Sequence, residues 1–252
     1  MKYFITIIIS LLFSVSTYSQ FLTTIGGGGS EPSLLLDSLF AYYSLDDPSG
    51  DAIDEVGGRD LTLAGTVTQG VGGKVGDCYT FITDGQAKYT ADDFDFASSF
   101  SVSLWAKTAS TGAQKGIVTY IGAGLRGWTV RMNSGDPNAL PLAERYWVGG
   151  SVWSTGTTIT NDDGWHHIVY TFDDATNDQK IYVDGDLEDT DNNATATVYV
   201  TDCDLEIGSE DDSFFFDGEI DEVAIYRGMA ISEGKVDSLW NSGNGIAYPL
   251  DF

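Results

Sequence analysis

From Leu34 to Phe252, apolar and polar residues alternate in short runs: "FSVSLWAK", "GWTVRMN", "RYWVGGSVW", "HHIVYTF", "KIYVDG", "ATVYV" and "DEVAIYR". Gly, Asn or Asp bounds each run. A period of two sends successive side chains to opposite faces of an extended chain, so each run is a strand with one face for a core. Only "SEGKVDSLWNSG", Ser232 to Gly243, predicts a short helix, with Ser232 as its N-cap and Gly243 as its stop. Many short strands and one short C-terminal helix describe an all-β sandwich. The 252 residues, 42% of them hydrophobic, suffice for a substantial core, and the absence of a fixed-period repeat predicts one domain over residues 34–252.

The first 19 residues read as a secretory signal peptide. Lys2 supplies the positive end, Phe4 to Val15 an apolar run, and Thr17 with Ser19 a small-residue cleavage pattern before Gln20. That run is shorter than a membrane-spanning helix needs, so the expectation is export to the extracellular space or cell surface without membrane insertion. Residues 20–33, with four consecutive glycines, form a Gly-rich linker. A formal net charge of -26, from 38 acidic against 12 basic residues, argues against nucleic acid as a partner and favours cations.

Two cysteines, Cys78 and Cys203, are either a disulfide formed in an oxidising compartment or two buried free thiols. Neither has a neighbour at zinc-ligand spacing. "GAGLRG", Gly122 to Gly127, matches a dinucleotide-binding fingerprint letter for letter, yet the alternating "WTVRMN" follows it. No helix N-terminus is then present to receive a pyrophosphate, so the segment reads as a hairpin loop.

"GWHHIVYTFDDATNDQKIYVDG", Gly164 to Gly185, resembles the central hairpin of laminin-G-like, concanavalin A-like domains. "AYYSLDDPSGDAIDEVGGRDLTL", "GGKVGDCYTF" and "LEIGSEDDSFFFDGEIDEVAIYRGMAIS" resemble further blocks of the same family, in the same order. The resemblance implies a two-sheet concanavalin A-like jelly-roll sandwich. It also implies a structural calcium ion (Ca2+) held by Asp221, Asp54 and a backbone carbonyl near Gly57, with Asp46, Asp47 and Asp60 as further candidates. Calcium accepts such a mixture of oxygens, whereas the alternative is that Asp54 and Asp221 only cap turns. Related laminarinase-type glycosidases carry two catalytic carboxylates at alternating positions of one strand. In "FDGEIDEVAIY", Glu219 and Asp221 keep that phase, but position 223 is Val and strict alternation turns Glu222 to the other face.

Sugar rings present C–H faces that stack on aromatic side chains, which makes Trp128, Tyr146, Trp147 and Trp153 candidate ligand-binding residues, with burial in the core as the alternative. The primary functional expectation is a secreted, non-catalytic domain that binds carbohydrate or a glycosylated surface. A structural or adhesive protein of a cell surface or virion, with protein partners, is one alternative. A glycoside hydrolase with an unrecognised acid pair is another.

Overall fold

A computed structural model describes residues 32–247 apart from 112–113, 123–125, 134–139, 148–149, 159 and 195–201. The expected signal peptide over residues 1–19 and most of the expected Gly-rich linker over residues 20–33 lie outside these residues. A helix α1 (Pro32–Ser38) opens the described chain, two residues before the expected domain start. Pro32 occupies its first position, where a missing N–H breaks no hydrogen bond.

Thirteen strands follow the alternating runs. They are β1 (Leu39–Tyr43), β2 (Thr62–Gly72), β3 (Asp77–Tyr89), β4 (Phe100–Lys107), β5 (Lys115–Gly122), β6 (Arg126–Met132), β7 (Pro141–Trp147), β8 (Gly150–Thr155), β9 (Trp165–Asp173), β10 (Asp178–Val183), β11 (Asp186–Asp191), β12 (Cys203–Ile207) and β13 (Gly218–Arg227). Helix α2 (Glu233–Trp240) closes the order where a helix was expected. Ser232 is its N-cap residue, although its side chain makes no capping bond. The stop falls at Asn241, in the left-handed conformation at φ 51°, ahead of Gly243.

All strand pairing is antiparallel, in the order β11-β10-β9-β4-β13-β3-β12-β5-β6-β7-β8, with β1 beside β13 and β2 beside β3. This corrects the expectation of two separate sheets: hydrogen bonding is continuous, and the sheet wraps nearly closed. The cause is β3, which changes partners along its length. Residues 79–81 pair with β13 and residues 87–89 with β12, on either side of a bend where Thr83 takes φ 61°. One long strand therefore serves both layers. At the far edges, the Thr155 amide of β8 donates to Asp189 Oδ2 of β11 at 2.9 Å.

Between the layers lies a core to which alternation assigns one face of every strand. Phe100, Tyr170, Phe172 and Ile225 contribute from one side, and Tyr120, Trp128, Val130 and Leu205 from the other. Arg145 also points inward, its guanidinium 4.0 Å from the Phe172 ring centroid and donating to the Phe96 carbonyl at 3.2 Å. A second cluster forms where Leu35 of α1 and Val236 and Leu239 of α2 cover Val169, Tyr182, Ala224 and Tyr226. The helices thus seal the outward face of the β1, β13, β9 and β10 layer.

The Trp-His-His triplet obeys its phase. His167 lies on the outward face with its ring 5.1 Å from that of Trp105, and Ile168 and Tyr170 enter the core. Burial pushes the His167 pKa down to about 3, so this ring is neutral. "GAGLRG" joins two antiparallel strands, with Gly122 paired to Arg126.

Cys78 and Cys203 are both buried and free. Cys78 stands eleven positions from Tyr89 on β3, whereas the pairing of Leu205 with Tyr89 puts Cys203 beyond the opposite end of that strand. Thirteen positions of strand, about 40 Å in length, lie between them, against a limit of about 7 Å between Cα atoms for a bridge. The disulfide alternative is corrected to two separate thiols, whose pKa values burial raises to about 12.

His166 closes the β9–β10 hairpin, with Nδ1 2.7 Å from Asp184 Oδ2 and Nε2 3.1 Å from Asp162 Oδ1. The Asp184 hydrogen bond raises its pKa above the ordinary value, against an opposing contribution from burial. The stabilisation is therefore complete below the unfolded pKa near 6.5 and is lost as pH rises through the higher folded value. Replacing His166 with Gln should lower the melting temperature at pH 6 by on the order of 2–4 °C and by less at pH 9, as read by thermal denaturation across pH.

Candidate functional site

No described helix covers the outward face of β12, β5, β6, β7 and β8, yet its polar residues Glu206, Thr119, Thr129, Arg131 and Glu144 are buried, and of the side chains aligned across these strands Trp153 alone stands exposed. The register sets that alignment. Lys88 pairs with Glu206, Glu206 with Thr119, Thr119 with Thr129, Thr129 with Glu144, and Glu144 with Trp153. Six residues from six adjacent strands thus form one straight row, about 24 Å long at the usual strand spacing. Equal parity along paired strands gives all six the same face.

Charge pairing organises the row. Arg131 Nη2 lies 2.6 Å from Glu144 Oε2, and Arg131 Nε lies 3.6 Å from Glu210 Oε2. Tyr146 donates its hydroxyl to Glu144 Oε2 at 2.7 Å, and Gln114 Nε2 donates to Glu210 Oε1 at 2.7 Å. At the other end, Lys88 Nζ is shared among Glu206 at 3.0 Å, Asp204 at 3.3 Å and Asp212. Arg131 is only 7% exposed, yet its Nη1 and Nε make no hydrogen bond among the described residues. Burial raises the Glu210 pKa to about 7, opposed by the Arg131 charge.

A turn over residues 208–217 walls the row beside β5. The Gly116 amide donates to the Phe214 carbonyl at 2.8 Å, and Phe216 donates to the Gly208 carbonyl at 2.8 Å. A Cβ at Gly116 would collide with Ser209 and the Glu210 amide, so this close approach requires glycine. Asp211, Asp212 and Phe214 hold positive φ values of 55°, 51° and 35°, and Phe214 is half exposed. Strained backbone of this kind persists only where the surroundings over-determine it.

The structure divides the aromatic candidates. Trp153 is 56% exposed in the row, and Tyr146 lies half-buried on the same face through its bond to Glu144. Trp128 is corrected to a core residue: it pairs with Arg145 on the opposite phase, is 2% exposed and donates its indole N–H to the Phe94 carbonyl at 3.2 Å. Trp147 ends β7, and its side chain lies outside the described residues. Arg131, Glu144, Glu206 and Glu210 were not singled out from sequence. Their signal is a charged residue in the polar phase of "GWTVRMN", "PLAERYW" and "LEIGSE", which the cross-strand register brings together.

The expected metal ligands separate as well. Asp54 Oδ1 accepts from the Tyr42 and Val56 amides at 3.1 Å each, Oδ2 accepts from the Arg59 amide at 3.1 Å, and the Arg59 guanidinium stands 3.6 Å away. Gly57 is crowded by the same guanidinium. Asp54 thus clamps its own turn through three backbone amides, and a cation beside it and Gly57 would compete with the arginine in place there. Asp221 and Asp46 instead grip one tight turn. Asp221 Oδ2 accepts from the Lys74 and Val75 amides at 2.7 and 3.0 Å, and Asp46 Oδ1 from the Asp77 amide at 2.6 Å. Asp221 Oδ1 is buried without a hydrogen-bond partner among the described residues. Burial, then the charge of Asp46, pushes the Asp221 pKa up to about 7. Among the described residues no three His, Cys, Asp or Glu side chains converge as a metal site.

A bulge explains why "EIDEV" breaks strict alternation. Pairing to β4 shifts between Asp221 and Ala224, and Glu222 adopts φ 52°. Ile220 and Val223 consequently both enter the core, while Glu222 takes the Tyr42 hydroxyl outside it. Glu219 is held by Lys107 at 3.1 Å. The three acids have three separate partners.

A family model described as the concanavalin A-like lectin/glucanases superfamily matches residues 82–236. No curated protein matches the chain. Among solved structures, the binding domain of Paraclostridial Mosquitocidal Protein 1 is similar at a TM-score of 0.64 and 17% identity, over 83% of this chain and 53% of that one. Botulinum neurotoxin type C, described as interacting with two ganglioside molecules, is similar at 0.65 and 16% identity, over 88% and 54%. Domain 4 of AbnA, a GH43 extracellular arabinanase from Geobacillus stearothermophilus in complex with arabinotriose, is similar at 0.59 and 22% identity, over 82% and 98%. The chain thus spans about half the length of the toxin chains it matches and is nearly coextensive with the arabinanase domain.

Arg131→Met removes the cation between Glu144 and Glu210. Two buried carboxylates would be left uncompensated, a loss of about 3–5 kcal/mol. Because Glu210, its pKa raised by burial, takes up a proton as pH falls, the deficit in melting temperature should be larger at pH 8 than at pH 5.

Proposed function

The chain belongs to the concanavalin A-like lectin/glucanases superfamily, and on that premise we propose that it is a non-catalytic carbohydrate-recognition domain exported from the cell that makes it. The observation that carries this reading is the outward row that ends on exposed Trp153. The exposed indole, with half-buried Tyr146 on the same face, offers a surface for the C–H face of a sugar, and the buried charged row behind it fixes where that indole stands. The similarity to an arabinanase domain carrying arabinotriose and to toxin binding domains supports the reading. The opening acids of "EIDEV" do not serve as a hydrolytic pair, because Lys107 holds Glu219 and Asp221 is turned into a backbone turn.

Calcium belongs to the same proposal, with changed ligands. Asp221 and Asp46 would hold the ion with help from backbone carbonyls and water, and the unpartnered Asp221 Oδ1 is the group that fits it. The ion would neutralise two carboxylates that face each other across one turn, stiffening the junction of β1, β3 and β13. The export step rests on residues 1–19.

Two measurements check these assignments. On a glycan array followed by calorimetry, the protein should bind saccharide without hydrolysing it. Trp153→Ala should weaken binding about tenfold, or about 1.4 kcal/mol, with an unchanged melting temperature. Absence of binding to any glycan would sink the proposal. For the metal, calcium at about 100 times its Kd should add about 2.7 kcal/mol of stability. Asp221→Ala or Asp46→Ala should abolish that increment, and Asp54→Ala should lower stability while preserving the calcium response.

A further inference from the structure

We propose that a cavity on the outward face of the layer carrying β13, β4 and β9, beside the Lys107–Glu219 ion pair, is a second carbohydrate contact that takes one ring of a neutral sugar. This deepens the carbohydrate-recognition reading above and rests on it. Trp153 stands on the other layer, so the two contacts are separate.

Register builds this site from side chains that solvent reaches. Thr68 pairs with Thr80, Thr80 with Glu219, Glu219 with Lys107, and Lys107 with Trp165. Paired residues of antiparallel strands share a face, so β2, β3, β13, β4 and β9 present one aligned set. None of these five residues is buried, in contrast to the row that ends on Trp153. The helices seal this layer around Val169, Tyr182, Ala224 and Tyr226, whereas Lys107 and Glu219 keep 27% and 21% of their side chains exposed. Next to that pair lies a cavity of about 310 Å³, lined by Thr80 and Ile82 of β3, by Ala109 and Ser110 after β4, and by Asp163 and Asp217 before β9 and β13. Its rim is held in place. Thr108 donates its hydroxyl to the Asp217 carbonyl at 2.5 Å, and the Asp163 amide donates to the Thr108 carbonyl at 3.2 Å. A Cβ at Gly218 would collide with the Lys107 carbonyl, so glycine is what lets β13 begin against the end of β4.

The lining selects the ligand class. The hydrogen bond to Glu219 Oε2, at 3.1 Å, raises the Lys107 pKa above its ordinary value, so the nitrogen is an ammonium with three N–H groups for that one acceptor. A carboxylate likewise has lone pairs beyond the one this bond uses. Neighbouring hydroxyls of a sugar match the pair, one accepting from Lys107 and the next donating to Glu219. The Thr80 and Ser110 hydroxyls and the Asp163 and Asp217 carboxylates add partners around the ring, and exposed Ile82 meets its C–H groups. Three carboxylates against one ammonium disfavour an anion, and among the described residues no three acids converge as a metal site. The volume lies at the small end of ligand pockets, which suits one ring rather than a buried chain.

Titration of the full chain with arabinotriose and with a neutral β-glucan trisaccharide, followed by calorimetry and by NMR amide shifts, tests this. Saturable shift changes are expected at Thr80, Ser110 and Glu219 as well as around Trp153. Glu219→Gln and Lys107→Met should each weaken the cavity response at least tenfold and leave the Trp153 response in place. Their melting temperatures should stay near that of the native chain, because a half-exposed ion pair contributes little to folding. Trp153→Ala should leave the cavity response in place. Sugar binding that moves amides around Trp153 but none at the cavity overturns this inference while leaving carbohydrate recognition standing, and that result needs no variant. Cavity shifts that persist undiminished in both Glu219→Gln and Lys107→Met overturn the role of the ion pair. Cavity shifts produced by spermidine but by neither sugar also overturn the inference, since the occupant is then a basic group. Binding of no saccharide at either place overturns the carbohydrate reading itself and this inference with it.

Discussion

The change of partners along β3 is the constraint on which the architecture depends. A strand that bonds β13 at residues 79–81 and β12 at residues 87–89 belongs to both layers, so neither layer can move without dragging the other. The bend at Thr83 lets the backbone turn this corner without breaking the ladder. Everything inside follows: the aromatic residues of β4 and β9 meet those of β5 and β6 across a closed space, and even Arg145 is held there by ring faces and a carbonyl. Outside, the two layers receive opposite treatment. One is sealed by α1 and α2, and the other carries a buried charged row that ends on exposed Trp153.

A single inserted residue in β13 has comparable reach. The bulge between Asp221 and Ala224 lets Ile220 and Val223 both fill the core, which strict alternation forbids. It also places Asp221 against the turn held by Asp46 and sends Glu222 to Tyr42. Three neighbouring carboxylates are thereby spent on three different structures. Asp221 and Asp46 grip one backbone turn from two sides, with Asp221 Oδ1 buried and without a hydrogen-bond partner among the described residues.

Much of this was legible in the runs themselves. Period-two alternation located the strands, and in β9 His167 lies outward while Ile168 and Tyr170 enter the core, as alternation requires. The metal ligands were harder. Asp54 and Asp46 sit eight positions apart in one acidic loop, and nothing local distinguishes a carboxylate wrapped by its own backbone amides from one aimed at a distant turn. The Arg59 guanidinium stands 3.6 Å from Asp54 and its amide donates to the same carboxylate, contacts that depend on the path of the loop. Trp128 illustrates the same limit: an aromatic residue in an alternating strand is on one face or the other, and its partner strand decides which is inside.

Local alternation, turn residues and charge balance were enough to establish an all-β chain with one C-terminal helix and an acidic surface, because those properties are set by neighbours one to four residues apart. Alignment of Lys88, Glu206, Thr119, Thr129, Glu144 and Trp153 into a row was not accessible to such reasoning. It arises from the relative register of six strands drawn from across the chain, and register is a property of pairing between segments rather than of any segment alone. The same holds for the separation of Cys78 from Cys203, where backbone hydrogen bonds, not sequence distance, keep two thiols at opposite ends of one strand.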